Sequence, residues 1–408
     1  MKGTAEPLRI GLAGPLTLYR LRSRLEDRPQ LGAGLESRVL TDLVEELHRR
    51  GHELVCVSLS PDPDDWGSYR GDRLHLEVGP YRRRHRWIDG FRVERQWSVE
   101  RLHRADVDIV HAHWTYEFAL AALASDHPTL VTVHDWAPEI LRHHRHPYRL
   151  VRLGMQRKVL RRAPHLIANS PYIAERVFES TGRSVPVIPN GRVMRDTCPP
   201  LPQHDLPRLG ALNSGFGPLK NVTTLLRAFQ IVRRSHPGVL LRLAGTDHGP
   251  DGAAAAWATS RGLTAGVEFV GRIESGQVAE FMRSLDVFVH PSLEESFGMV
   301  LIEAIDEGIP VVGGHQSGAV PWVLDDGRAG VLADVESPER LASSVVDLLD
   351  DRERRSDLSR AAFERTRSRF SLDQVAVRQE AEYRRVLAAS GGRSARRSGP
   401  DVWNVLDE

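Results

Sequence analysis

The chain has 408 residues, 41% of them hydrophobic and 27% charged, with a formal net charge of +1 and two cysteines, Cys56 and Cys198. That length exceeds what one hydrophobic core covers and implies two domains. The small net charge and the lack of a recognition motif argue against nucleic-acid binding, and two distant cysteines argue against a disulfide framework or a cysteine zinc site. Residues 1–7 are polar, the apolar stretch after them is broken by Gly11, Gly14 and Pro15, and the longest helical apolar run, 118–124, falls far short of the ~20 residues that span a bilayer. A cytoplasmic protein is therefore expected. Charge is unevenly spread: residues 1–198 hold 31 Lys+Arg against 25 Asp+Glu, residues 199–408 hold 24 against 29. A basic first half suits either an anionic partner or an ordinary arginine-rich surface.

Short apolar or β-branched runs at 8–12, 53–58, 109–112, 130–133, 166–168 and 185–188 read as buried parallel strands. Between them, 36–50 carries a helical stripe (Val39, Leu40, Leu43, Val44, Leu47) that Gly51 stops. Further helices are expected at 118–124 and 171–180. The segment Cys198-Pro-Pro-Leu-Pro-Gln-His-Asp-Leu-Pro207 can neither continue a helix nor sit inside a sheet, so it reads as a linker. Alternation then restarts, with strands at 208–213, 239–244, 267–270, 287–290 and 310–313 and helices at 221–235, 277–283, 299–307 and 338–350. An amphipathic helix follows at 372–389, and residues 390–408 are expected to be disordered. The pattern predicts two doubly wound α/β domains in series, with ligands beyond the carboxyl ends of the strands.

The most informative stretch is Glu295-Ser-Phe-Gly-Met-Val-Leu-Ile-Glu303. A strand ends just before it and a helix opens near Gly298, whose free amides and dipole make a diphosphate site. Glu295 in the loop and Glu303 in the early helix bring two acceptor-rich carboxylates to one ligand. The plainer alternative is a helix capped by Ser296 with two solvated glutamates.

Two glutamates separated by seven residues, the second opening Glu-Ala-x-x-x-Gly-x-Pro-Val-Val, resemble the donor motif of the family-4 retaining glycosyltransferases. Supporting segments are Val187-Ile-Pro-Asn-Gly191, Lys220 before its helix, Leu243-Ala-Gly245, Phe269-Val-Gly-Arg-Ile273, Ser284 to Ser292 and Gly327-Arg-Ala-Gly-Val-Leu332. The resemblance implies a GT-B fold, two facing Rossmann-like domains. Residues 1–198 would bind the acceptor and be completed by the helix 372–389. Residues 199–207 would link them to a donor domain at 208–371.

By the same resemblance, Glu295 would contact donor-sugar hydroxyls and support an oxocarbenium-like transition state. The amides of Phe297, Gly298 and Met299 would hold sugar and phosphate, Glu303 the ribose, and Lys220 the diphosphate leaving group. Gly34 and Asn213 would lie beside the donor, backbone near Arg272 and Ile273 would face the base, and His134 would sit next to the reacting sugar. A nucleotide-diphosphate sugar is thus the expected co-substrate, with a glycan or lipid-linked acceptor, no other cofactor and no metal. Three positions depart from the family: no arginine precedes Lys220 by a turn, Arg192 and Val193 follow Asn190-Gly191, and Trp322 replaces a glutamate.

The first half leaves alternatives open. His111 and His113 share a strand face, a spacing that suits a metal or packed polar residues beside the cleft. Asp62-Pro-Asp-Asp65 reads as a turn. The basic run from Arg142 to Arg162 reads as a packed helix with a solvated arginine face or as a surface for an anionic membrane. A sugar-nucleotide epimerase or hydrolase of the same fold, and a non-catalytic sugar-nucleotide binder, are the rival functions.

Overall fold

A computed structural model describes residues 6–391. Its first sheet holds β1 (Arg9–Ala13), β2 (Glu53–Ser60), β3 (Gly67–Gly71), β4 (Leu74–Pro80), β5 (Ile109–His113), β6 (Thr129–Val133) and β7 (His165–Ala168). Strand order is β3-β4-β2-β1-β5-β6-β7, parallel except for β3, which pairs antiparallel with β4 at the edge. The second sheet holds β8 (Arg208–Leu212), β9 (Leu240–Ala244), β10 (Val267–Gly271), β11 (Val287–His290), β12 (Val311–Gly314) and β13 (Val331–Ala333), all parallel in the order β10-β9-β8-β11-β12-β13. The central strands β1, β5, β6, β8 and β11 are largely buried, as strands covered on both faces are.

Strand order reverses between β1 and β5 in one sheet and between β8 and β11 in the other. Such a reversal splays the connecting loops apart and opens a crevice at the carboxyl ends of the strands. Those two ends face each other. Ser170, just past β7, donates a 2.7 Å hydrogen bond to the carbonyl of Ser296, past β11, and Arg272, past β10, pairs with Glu36 at 3.4 Å. Two facing Rossmann-like sheets of this kind are the GT-B architecture.

The helix Leu372–Ala389 crosses back to the first sheet, where Val375, Tyr383 and Val386 pack among Ile10, Leu12 and Leu130. Arg50 and His52 hold it there through Glu380, at 2.6 and 2.9 Å.

Several elements differ from the sequence reading. Residues 185–188 form no strand: they make only a bridge, Ala168 to Val187, because Pro186 and Pro189 have no N–H to extend the ladder. The basic run is two pieces, Ala137–His143 and Pro147–Arg162. Pro147 opens the second piece and the His146 ring accepts from the Tyr148 amide. Strands β3 and β4 and the helices Arg92–Arg104 and Arg352–Phe370 were not expected. Both helices are polar nearly all round, and the second buries only Ser359, Ala362, Phe363, Thr366 and Phe370. Apart from Ser390 and Gly391, which close the last helix, the tail expected to be disordered lies outside the described residues.

Candidate active site

The second sheet supplies a charged wall. Strand β11 ends at His290, and the loop after it carries Glu294 and Glu295 into the helix Met299–Asp306. Lys220 closes a short turn, Pro218–Lys220, past β8, and its Nζ lies 2.6 Å from Glu295 Oε1. His290 Nε2 is 3.3 Å from the same oxygen, off the hydrogen-bonding direction. Burial pushes the Glu295 carboxyl up, but Lys220 and His290 pull harder and hold it well below the ordinary carboxylate range. Glu295 is therefore an anion at any physiological pH.

Gly298, not Ser296, precedes the helix, at φ 89°, a region that disfavours any side chain. A Cβ there would also meet Leu301 at 2.9 Å. Among the described residues no side chain caps the helix, so the amides of Met299 and Val300 stay open toward an anion. Phe297 turns its ring inward, 5.5 Å from Phe370, leaving only its backbone for a ligand. Met299 and Glu303 line a cleft cavity of about 320 Å³ with Pro15, Arg38 and Trp114 of the first half.

Glu303 is held from two sides, by Arg192 at 3.3 Å and Arg38 at 3.9 Å, while Arg192 also reaches Asp306 at 3.2 Å. Burial raises the Glu303 carboxyl, and the two guanidinium groups only partly offset it. Arg192, noted in the sequence only as a departure, thus orients the second glutamate. Arg38 opens the helix Arg38–Arg49, capped by Ser37, and carries a cation into the cavity where the loop before Lys220 has none.

Other expected positions are more dispersed. Asn213 is buried past β8, and both polar atoms of its side chain lack a partner. Arg272 is largely exposed and Ile273 half-buried at the end of β10, at the rim of the cleft. Gly34 (φ 64°) bridges Thr17, and a Cβ would meet the Leu16 carbonyl at 2.8 Å. Packing against that segment alone therefore requires a glycine. The Asp62 turn has a structural task as well, since Asp65 accepts the Gly32 amide at 2.6 Å and steadies this loop.

The first sheet supplies a neutral wall. His134, one residue past β6, bonds through Nε2 to His113 Nδ1 at 2.8 Å and stacks on Trp114 at 4.3 Å. Burial pushes His111 and His134 down to about 3 and His113 well below its ordinary value, with neighbouring imidazoles adding to the effect for His111 and His113. Both His111 nitrogens are engaged, by Tyr383 and Thr132, so the His111/His113 pair is packed structure and not a metal clamp. Among the described residues no group of three or more His, Cys, Asp or Glu is placed to hold a metal ion.

This geometry, an amide-rich helix start flanked by a lysine and two glutamates across a cleft from a second Rossmann-like sheet, defines an anion-binding site in a GT-B architecture. Comparison with known proteins agrees. Residues 37–192 match the family model Glycosyltransferase Family 4, and residues 214–365 match Glycosyl transferases group 1. The chain belongs to the family-4 glycosyltransferases and is a glycosyltransferase. It is 29% identical over 334 residues to the phosphatidyl-myo-inositol mannosyltransferase of Mycobacterium tuberculosis, covering 77% of this chain and 82% of that one. It is 36% identical over 174 residues to a D-inositol 3-phosphate glycosyltransferase of Segniliparus rotundus, over 42% of this chain and 38% of that one. In fold it matches a sucrose-phosphate synthase of Thermosynechococcus elongatus, with a TM-score of 0.75 at 19% identity over 94% of this chain and all of that one. Anabaena HepE in complex with UDP-glucose matches with a TM-score of 0.66 at 17% identity, over 94% of this chain and 100% of that one.

Sequence reasoning assigned no role to His290, Arg38, Arg192, Trp114 or the cross-cleft pair Tyr172–Glu294. His290 stood in the quoted run into the motif, and Trp114 follows directly on the histidine pair. The two arginines had no local signal, since their partners lie 265 and 111 positions away in the chain.

Proposed function

We propose that the protein is a retaining, metal-independent transferase. It would move a sugar from a nucleotide diphosphate to a glycan or lipid-linked acceptor at the cytoplasmic face of a membrane, in polysaccharide or glycoconjugate biosynthesis. The observation that carries this reading is the Lys220–Glu295 ion pair at the open start of the helix Met299–Asp306. The bond from the anomeric carbon to the phosphate oxygen breaks, and charge develops on the diphosphate beside Lys220 and the helix amides. Glu295, held anionic, stabilises the positive anomeric centre. The acceptor hydroxyl attacks from the face the diphosphate leaves and gives its proton to a diphosphate oxygen, so configuration is retained. Glu303, oriented by Arg192, accepts from the ribose hydroxyls, and His134 borders the sugar. Lys220 supports metal independence, because a cation already stands where the leaving charge appears.

The two relatives named above act, by name, on phosphatidyl-myo-inositol and D-inositol 3-phosphate. That favours an acceptor bearing a phosphate. The helix Pro147–Arg162 supports a membrane contact: Arg157, Lys158, Arg161 and Arg162 are exposed with no ion-pair partner among the described residues, and Leu150 is 58% exposed. No helix of the described residues is long and apolar enough to cross a membrane.

A panel of nucleotide sugars screened by thermal shift, followed by mass spectrometry of products, tests the reading. One donor should raise the unfolding temperature by mass action, and its sugar should appear on an added acceptor with the anomeric configuration unchanged. Donor consumption without transfer would point instead to a hydrolase or epimerase, and binding without turnover to a non-catalytic binder. Failure to sediment with anionic vesicles at low salt would remove the membrane contact.

A further inference from the structure

Thr132 and His134 lie two apart on β6 and its extension, as His111 and His113 do on β5, so all four side chains share one face of the sheet. Their hydrogen bonds can be accounted for proton by proton. His111 Nδ1 receives Tyr383 Oη at 2.9 Å and Gln379 Nε2 at 3.4 Å. An amide nitrogen only donates. The His111 proton therefore sits on Nε2, where it is donated to Thr132 Oγ1 at 2.7 Å.

His113 has one partner. Its Nδ1 lies 2.8 Å from His134 Nε2, and its own Nε2 is buried with no hydrogen-bond partner among the described residues. Both rings are neutral, so one proton lies between them. Were His134 the donor, the His113 proton would be an N–H group buried without an acceptor. With His113 as donor, the orphan is an unpaired acceptor, the commoner and less costly defect.

We propose that His113 is a positioning residue that fixes His134 with its proton on Nδ1. The first sheet then presents a hydrogen-bond donor, not a base, to the reacting sugar. The proposal rests on the reading of His134 as a neighbour of that sugar. Trp114 completes the arrangement. Its backbone is left-handed, φ 65°, a conformation a bulky residue adopts only under constraint. That turn stacks the indole on His134 within 29° of parallel. The ring is thus gripped along one edge by His113 and across one face by Trp114. A neutral donor there leaves the diphosphate oxygen as the group that takes the acceptor proton.

Long-range proton–nitrogen correlation NMR on the histidine-labelled full chain reads the tautomer directly, with His134→Gln identifying the signals. The expected result is a protonated Nδ1 and an unprotonated Nε2 at His134; the reverse pattern overturns the proposal. His113→Phe should turn His134 into a mixture of tautomers and lower kcat roughly 10–100-fold, as loss of a supporting partner does, with donor KM nearly unchanged. His113→Asn, whose Nδ2–H stands near the lost Nδ1–H, should restore both the pattern and most of kcat. An unchanged tautomer in His113→Phe overturns the role of His113. If instead the tautomer is as stated but His134→Gln keeps full kcat, the placing of His134 beside the sugar fails and the tautomer assignment stands.

Discussion

At the strand ends of the second sheet, Lys220 and Glu295 form an ion pair whose side chains remain 27% and 18% exposed. At the strand ends of the first sheet, His111, His113 and His134 are buried and bonded to one another or to Tyr383 and Thr132. One wall therefore answers a ligand with fixed charges, the other with oriented but neutral groups. The difference follows from what each sheet leaves uncovered. Past β11 an uncapped helix start faces the cleft, where an anion replaces water. On β5, a returning helix from the far end of the chain seals His111 beneath Tyr383 and Gln379. In the proposed reaction, developing charge falls on the diphosphate, so the charged wall should carry most of the rate and the neutral wall most of the geometry.

The strongest way to break that comparison is at the ion pair. Lys220→Ala should lower kcat by about 10²–10³ or more, the loss typical of removing one group that stabilises developing charge, with an unchanged circular dichroism spectrum. A loss within threefold would show that the amides and Arg38 suffice. Next in size, Glu303→Ala removes hydrogen bonds from a charged acceptor, worth ~1.5–3 kcal/mol. Donor KM should rise roughly 10–100-fold, with kcat less affected. Equal losses in kcat alone would place Glu303 at the reacting centre and not on the ribose.

Stability against pH sharpens the contrast between the walls, because both weaken in acid but over different windows. His111 and His134 are held near 3 by burial, below the ~6.5 of the unfolded chain. Between those values the unfolded state binds more protons, so stability falls as pH drops from about 6.5 toward 3. Glu295 is depressed as well, but its unfolded value is ~4.3, so its contribution is full above that and lost only as pH falls further. Urea unfolding of His111→Asn should therefore show a stability slope between pH 6 and 4 shallower by about 1.4 kcal/mol per pH unit, one proton's worth. The same slope in His111→Asn and in the parent chain would mean that His111 titrates normally.

The two walls were unequally legible in the sequence. Most of the charged wall is local: β11, its loop and the helix that follows lie within twenty residues of one another, announced by a strand run, a glycine and spaced carboxylates, and only Lys220, 75 positions away, needed the family resemblance. The periodicity of short apolar runs likewise gave β1, β2, β5 to β9 and the last helix to within a residue or two. Most of what failed had no period to read, although β4 alternates Leu74, Leu76 and Val78 toward the core. The helix Arg352–Phe370 buries a thin, mostly small-residue stripe, and β3 is an exposed edge hairpin that needs no apolar face. The neutral wall was legible as a pair of histidines and, through the family resemblance, as His134. Its meaning depends on Tyr383 and Gln379, nearly 270 residues away, and on which ring nitrogen each one reaches. The arginine clamps on Glu303 failed for the same reason, since long-range ion pairs leave no spacing.

The smallest effect concerns what joins the walls. Tyr172 donates to Glu294 at 2.7 Å across the cleft. Burial pushes the Glu294 carboxyl up to about 7; Tyr172 pulls it down in part, and nearby Glu139 pushes it up again. The sign here is opposite to that of the histidines. A raised carboxyl favours the closed cleft when protonated, so its contribution is full below ~4.3, declines as pH rises toward about 7, and is absent above it. Closure should therefore tighten over the same range in which the histidine wall begins to destabilise the fold. Small-angle scattering of the donor-free chain should show a radius of gyration that grows from pH 5 to 8, and Glu294→Gln should abolish that trend. Tyr172→Phe should shift the curve by only ~0.5–1.5 kcal/mol, the worth of one hydrogen bond. A radius flat across that range in the parent chain would mean that Glu294 is ionised throughout, and that the walls are held by Ser170, Arg38 and Arg272 without a titrating contact.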